Sequence, residues 1–199
     1  IFYHLIVLSK YTPLYPRKKH QKSAKTSKTI KIISANIYLF NKDYKRFIDL
    51  INKNKPDVFL IMESDENWGN AMQILEKEYP FHIKVSQDNT YGMHFYSKFQ
   101  ILKSEVHYFV ADDIPSIEAH LKTEDGYEFI FFGVHPPPPS PTEEENSKER
   151  DGDLLSVAKV VKKIEKPVLV IGDFNNVAWS FSSILFKKES ELIDPRIGR

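Results

Sequence analysis

The stretch 167–175, PVLVIGDFN, limits the possible fold more than any other part of the sequence. Val168 to Ile171 form an apolar run with no polar alternation, closed by Pro167 on one side and Gly172 on the other. A half-exposed strand alternates apolar and polar side chains. An unbroken apolar run therefore predicts a strand buried on both faces inside a layered α/β core. The run releases Asp173 and Asn175, two residues apart and so on the same side of an extended chain. A carboxylate and a carboxamide at the rim of a sheet can hold a hard cation or a water. The competing reading is a turn, because Gly-Asp and Asn-Asn are common loop pairs and Asp caps helices.

Composition removes several chemistries. There is no cysteine, which excludes disulfides, thiolate zinc sites and cysteine nucleophiles. Any metal must be held by oxygen or imidazole. With 199 residues, 41% of them hydrophobic, the chain suits one domain with a real core. The net charge of +1 hides an asymmetry: residues 1–29 carry seven Lys/Arg and no acid, leaving 21 basic against 27 acidic residues in 30–199. A globular part with a balance of −6 lacks the overall footprint of a non-specific nucleic-acid binder, although a local basic groove remains open.

The sequence divides at Thr29 into a tail, 1–29, and a domain, 30–199. IFYHLIVL (1–8) is too short to span a bilayer, which takes about 20 residues. It reads either as the tail of a longer membrane helix, with Tyr11, Tyr15 and Arg17-Lys18-Lys19 at the interface, or as a disordered end. Residues 16–29 read as a Lys/Ser/Thr-rich linker. The chain starts at Ile1 and stops soon after an Asp-Pro turn, so both ends read as cut, a piece of a longer protein.

From Thr29 on, IKIISANIYLF (30–40) predicts a strand delivering Asn36, and 43–53 a helix with Tyr44, Phe47, Leu50 and Ile51 on one face. VFLIM (58–62) is a second buried strand ending in Glu63, and 65–79 a helix with Trp68, Met72 and Leu75 inward. Five candidate strands follow at 81–85, 91–97, 101–110, 116–123 and 127–135, with a hairpin turn at Glu124-Asp125-Gly126. Strand–helix units followed by hairpins predict a mixed sheet. PPPPSPTEEEN (136–146) is neither helix nor central strand, 147–164 is a helix with Leu154, Ala158 and Val161 on one face, and a short helix lies near 179–187.

Asn36, Glu63, His135, Asp173 and Asn175 each follow an apolar run, so they gather at strand ends above one core. They suit phosphate-ester hydrolysis. Glu63 and an Asn are hard oxygen ligands of the kind Mg²⁺ accepts. His135 can donate to a phosphoryl oxygen, Asp173 can orient or deprotonate a water, and Asn175 can hold it in line. Glu63 and Asp173 facing one site would repel without a cation, which itself argues for a metal.

SAN (34–36), ME (62–63), YG with YSK (91–92, 96–98), GVHPPPP (133–139) and GDFN…WS (172–175, 179–180) together resemble the endonuclease/exonuclease/phosphatase superfamily over about 30–199. The Pro-rich segment resembles a bacterial branch with N-terminal membrane helices. The resemblance implies a four-layer α/β sandwich with mixed sheets, incomplete at the C-terminal end, and a metal-dependent phosphoesterase using Mg²⁺, or Mn²⁺. It implies that Asn36 and Glu63 bind the metal and that His135, Asp173 and Asn175 contact the scissile phosphate or its water. Arg150 matches a position usually basic in this branch and is a candidate substrate contact, with a helix-end salt bridge as the other reading.

The superfamily closes its site with an Asp-His pair near the C-terminus, and none follows Asn175; Asp194-Pro195-Arg196 is not it. Catalytic inactivity of 1–199 alone is therefore expected. The sequence offers no clear acidic partner for His135; Ser116 and Glu118, on a neighbouring strand, are the candidates. The implied substrates are nucleic acid, lipid head groups or small phosphoesters, with membrane anchoring on a side left open between the basic flank and the resembling branch. The alternative is a non-catalytic module or pseudo-enzyme whose Pro136–Pro139 stretch binds a partner, against a rigid loop that positions His135.

Overall fold

The computed structural model describes residues 2–16, 29–138 and 144–198. Two four-stranded mixed sheets pack face to face with helices on their outer surfaces. The first contains β1 (Ile32–Asn36), β2 (Val58–Met62), β3 (Phe81–Val85) and β4 (Met93–Ser97), in the order β1-β2-β4-β3. The second contains β5 (Gln100–His107), β6 (Ser116–Lys122), β7 (Glu128–Val134) and β8 (Val168–Gly172), in that order. β1 runs parallel to β2 and β7 parallel to β8; the other pairs are antiparallel.

The apolar runs follow from this layering. In β2, Val58, Leu60 and Met62 face the second sheet, meeting Ile117, Ala119, Leu121, Phe129 and Phe131. Phe59 and Ile61 face the other way, toward α2 (Tyr44–Asn54), α3 (Glu66–Ala71) and the 3₁₀ turn Met72–Leu75. In β7, Ile130, Phe132 and Val134 face α4 (Glu144–Lys162) and α5 (Phe181–Ser190) through Leu154, Val157, Ala158, Val161 and Phe186. Strand alternation with both faces apolar thus produces three cores in a four-layer sandwich.

Several elements differ from their sequence expectations. β1 ends at Asn36 rather than continuing to Phe40, because the Asn36 Oδ1 accepts from the Tyr38 N–H at 3.0 Å and Tyr38 turns to φ 64°. Leu50 is exposed; Ile48 takes its place beside Phe47 and Ile51. β8 has both faces covered but stands at the sheet edge, so all five residues are half-buried. Residues 2–9 form a helix, α1 (Phe2–Ser9), rather than a disordered end. The chain after it is tied down: Tyr11 donates its hydroxyl to the Ala178 carbonyl at 3.1 Å, and Gly198 donates to the Lys10 carbonyl at 2.8 Å. No described helix is long and apolar enough to cross a membrane. The expected linker falls mostly outside the described residues. The expected hairpin forms: Gly126 takes φ 88° and Thr123 pairs with Tyr127.

Candidate active site

The five residues read from the sequence converge at one end of the two sheets. Asn36 closes β1, and its Nδ2 donates to Glu63 Oε1 at 2.7 Å and toward Asp173 Oδ2 at 3.4 Å. Glu63 follows β2 with φ 63°, a left-handed backbone uncommon for a carboxylate residue. That turn swings its second oxygen under the Leu39 N–H, 3.0 Å away. Gly92 makes room for the turn: a Cβ there would sit 2.0 Å from the Ser64 carbonyl oxygen. Asp173 follows β8, and its N–H points at the Met62 sulfur, 3.2 Å away, which ties the second sheet to the first.

Asp173 and Asn175 do not lie on a strand, as the alternation argument had placed them. β8 ends at Gly172, whose Cβ would collide with the Val134 oxygen at 1.8 Å, and Asn175 turns to φ 46°. The pair is instead held by a turn. The Asn175 N–H donates to Asp173 Oδ1 at 3.0 Å, and its side-chain amide donates to the Pro136 carbonyl at 2.8 Å. That second bond fastens the loop after β8 to the one after His135. Pro136 and Pro137 are buried, which fits the rigid-loop reading of this stretch better than a free polyproline ligand; Pro139 lies outside the described residues.

His135 is 3% exposed, and burial lowers its pKa while the nearby Asp173 and Glu63 carboxylates and a hydrogen bond to the Thr90 backbone pull it back up. Its ring lies 5.9 Å from that of Tyr91. The Nδ1 is buried and meets no hydrogen-bond partner among the described residues. Neither expected partner reaches it. Glu118 is engaged by His107 and His120, and the buried Ser116 hydroxyl has no partner among the described residues.

Arg150 lies inside α4 rather than at its start, is buried, and grips Asp151 through Nε at 2.9 Å and a terminal nitrogen at 2.8 Å. The salt bridge of the second reading is thus present. Asp194 is likewise committed, receiving two bonds from the Arg196 guanidinium at 2.8 and 2.9 Å.

Two backbone donors, Tyr38 and Leu39, were not read from the sequence, because an amide leaves no side-chain signal. A cavity of about 410 Å³ opens beside Asp173, lined also by Asn176, Phe186, Lys187 and Arg196.

Residues 33–197 match the model of the Endonuclease/Exonuclease/phosphatase family. No curated protein sequence matches. Among solved structures, sphingomyelinase C from Streptomyces griseocarneus is similar at TM-score 0.68 and 14% identity, over 83% of this chain and 70% of that one. A variant of beta toxin from Staphylococcus aureus with bound magnesium ions is similar at TM-score 0.66 and 19% identity, over 83% and 71%. TDP2 of D. rerio, complexed with a single-strand DNA product, is similar at TM-score 0.65 and 18% identity, over 79% of this chain and 64% of that one. The chain thus spans under two thirds of the TDP2 structure. Identities this low speak for the fold, and the family match speaks for the lineage. With 33–197 covered, the chain belongs to the endonuclease/exonuclease/phosphatase family.

Proposed function

We propose that this domain hydrolyses phosphate esters with a divalent cation, Mg²⁺ or Mn²⁺, bound at Asn36 and Glu63. One observation carries the reading: Glu63 and Asp173, from different sheets, converge on a single Asn36 amide at 2.7 and 3.4 Å. No salt bridge joins a Lys or Arg to either carboxylate among the described residues, so a cation between them would offset their like charges. The donor set fits a hard cation, since it consists of carboxylate and carboxamide oxygens with no imidazole nitrogen in the linked group. When bound, such an ion supplies charge neutralisation at a phosphoryl oxygen.

The remaining work falls to the side chains. Asp173, held by the Asn175 N–H, orients a water and takes its proton. Asn175, anchored on the Pro136 carbonyl, fixes the loop that carries Asp173 and keeps the water in line. His135, whose pKa burial lowers, donates to a phosphoryl oxygen as charge develops there. The likeness to a sphingomyelinase and to TDP2 supports lipid head groups and single-stranded DNA ends as the first substrates to try.

The test is Mg²⁺-dependent hydrolysis of a diester panel, sphingomyelin and a single-stranded oligonucleotide by the protein carrying residues 1–199. Asp173→Asn should reduce turnover about 10²-fold or more with little change in KM. Glu63→Gln should raise the Mg²⁺ concentration needed for half-maximal rate. Normal turnover in Asp173→Asn, or an unchanged Mg²⁺ titration in Glu63→Gln, would overturn the assignment.

A further inference from the structure

On the far side of the second sheet, away from the site above, two short sequences with the same pattern lie on adjoining strands: Glu105-Val106-His107 on β5 and Glu118-Ala119-His120 on β6. Alternation puts all four polar side chains on the face that carries Ile130 and Phe132, opposite the inter-sheet core. Glu105 and Glu118 are direct cross-strand partners. Like charges in that position destabilise a sheet unless something neutralises them.

The geometry around them is tight. One ligand atom each from Glu105, His107 and Glu118 lies within 4.8 Å of the others. Glu118, only 7% exposed, takes the His107 Nε2 on one oxygen at 2.7 Å and the His120 Nε2 on the other at 2.6 Å. The His107 Nδ1 faces Glu105 Oε1 across 3.7 Å. That gap is too long for a hydrogen bond. An ion taking the place of the proton between His107 Nε2 and Glu118 needs that 2.7 Å contact to open only to the ~3.3 Å separation of neighbouring ligands bound tetrahedrally at ~2.0 Å. The His107 ring is already fixed in orientation, stacked on Phe109 at 4.9 Å and Phe132 at 6.1 Å. Glu105 is exposed, which leaves an entry path from solvent.

We propose that Glu105, His107 and Glu118 form a second metal site for a divalent transition ion of the zinc class, with His120 holding the Glu118 carboxylate in place. Imidazole beside carboxylates favours Zn²⁺, Co²⁺ or Ni²⁺ over Mg²⁺ and Ca²⁺, which take oxygen ligands. A hydrogen-bond donor on a ligating carboxylate is the usual support for such a centre. The bound ion adds to Lys103, 3.5 Å from Glu105, in offsetting the Glu105–Glu118 repulsion, and clasps the edge strand β5 to β6. It shares no residue with the group around Asn36, Glu63 and Asp173, and it stands whether or not that group is catalytic.

The test is calorimetric titration of the whole chain with Zn²⁺ in excess Mg²⁺, on the wild type, Glu63→Gln, Glu105→Gln and His107→Gln, with thermal melts in parallel. One Zn²⁺ should bind the wild type and Glu63→Gln alike, and raise the Tm of both. Affinity should fall 10- to 100-fold in Glu105→Gln, whose exposed side chain is not needed for folding. Equal Zn²⁺ affinity in Glu105→Gln and wild type, or loss of all Zn²⁺ binding in Glu63→Gln, would overturn the proposal. Should His107→Gln fail to fold, Glu105→Gln decides alone.

Discussion

Asp153, on α4, is a carboxylic acid in the wrong place for its charge. It is 1% exposed, neither oxygen meets a hydrogen-bond partner among the described residues, and burial pushes its pKa up to about 6 from 3.8. A folded-state value above the unfolded one means the folded chain binds the extra proton between those two values, so stability falls as pH rises through about 4 to about 6. The difference corresponds to about 3 kcal/mol, lost as pH rises through about 6. His94 opposes it. Burial lowers that ring to about 4 from 6.5, so stability falls as pH drops through the same window, again by about 3 kcal/mol. In the wild type the two nearly cancel. Asp153→Asn removes one arm, so urea unfolding should show the variant equal to wild type near pH 4 and more stable by about 3 kcal/mol at pH 8, a Tm rise of roughly 6–12 °C. The difference between the proteins isolates Asp153 whatever else titrates. A variant less stable than wild type at pH 8 would refute the reasoning. It would mean that the carboxylate is ionised and paired, most simply by Arg150 turning from Asp151.

Gly92→Ala should lower Tm by the equivalent of about 1–3 kcal/mol or more, because its Cβ would meet the Ser64 carbonyl oxygen at 2.0 Å and displace the turn that carries Glu63. Asn36→Asp replaces the amide between Glu63 and Asp173 by a third carboxylate. Its Tm in chelator should fall below wild type and recover more strongly with Mg²⁺, and an unchanged Tm in chelator would show that the three groups do not share a field.

Much of this architecture was legible because the apolar runs left few alternatives. VFLIM and VLVI required cover on both faces, and alternation then assigned each residue to a core. The misreadings have local causes. Leu50 was placed inward, but Tyr44, Phe47, Ile48 and Ile51 form the stripe at i, i+3, i+4 and i+7, and Leu50 falls off it. The period of two was carried past Gly172 to Asp173 and Asn175, where positive φ values had already ended the strand. Glu118 is a candidate partner for His135 only by strand adjacency. It sits opposite Phe132, on the outer face, one residue out of phase with His135, and two histidines of its own strand pair engage it. The repeated Glu-x-His pattern that reveals this was present in the sequence; only the register of β5 on β6 shows that the two copies face each other.

The candidate site owes its form to the seam between the sheets. Asn36 leaves β1, the edge of the first sheet, and Asp173 leaves β8, the edge of the second, and these edges adjoin. Each sheet contributes one carboxylate, and the Asn36 amide spans the gap between them. Residues 137 positions apart therefore meet only when the two layers pack at the correct spacing. That spacing is set directly beneath them, where Gly133 lets the Leu60 side chain approach to 3.0 Å and the Met93 sulfur to 3.2 Å of the position a Cβ would take. Core packing and site geometry are thus coupled: a methyl group added at Gly133 would press on Leu60 and Met93 between the two sheets that carry Glu63 and Asp173. Such a site tolerates wide variation on the outer helices and little in the few small residues between its sheets.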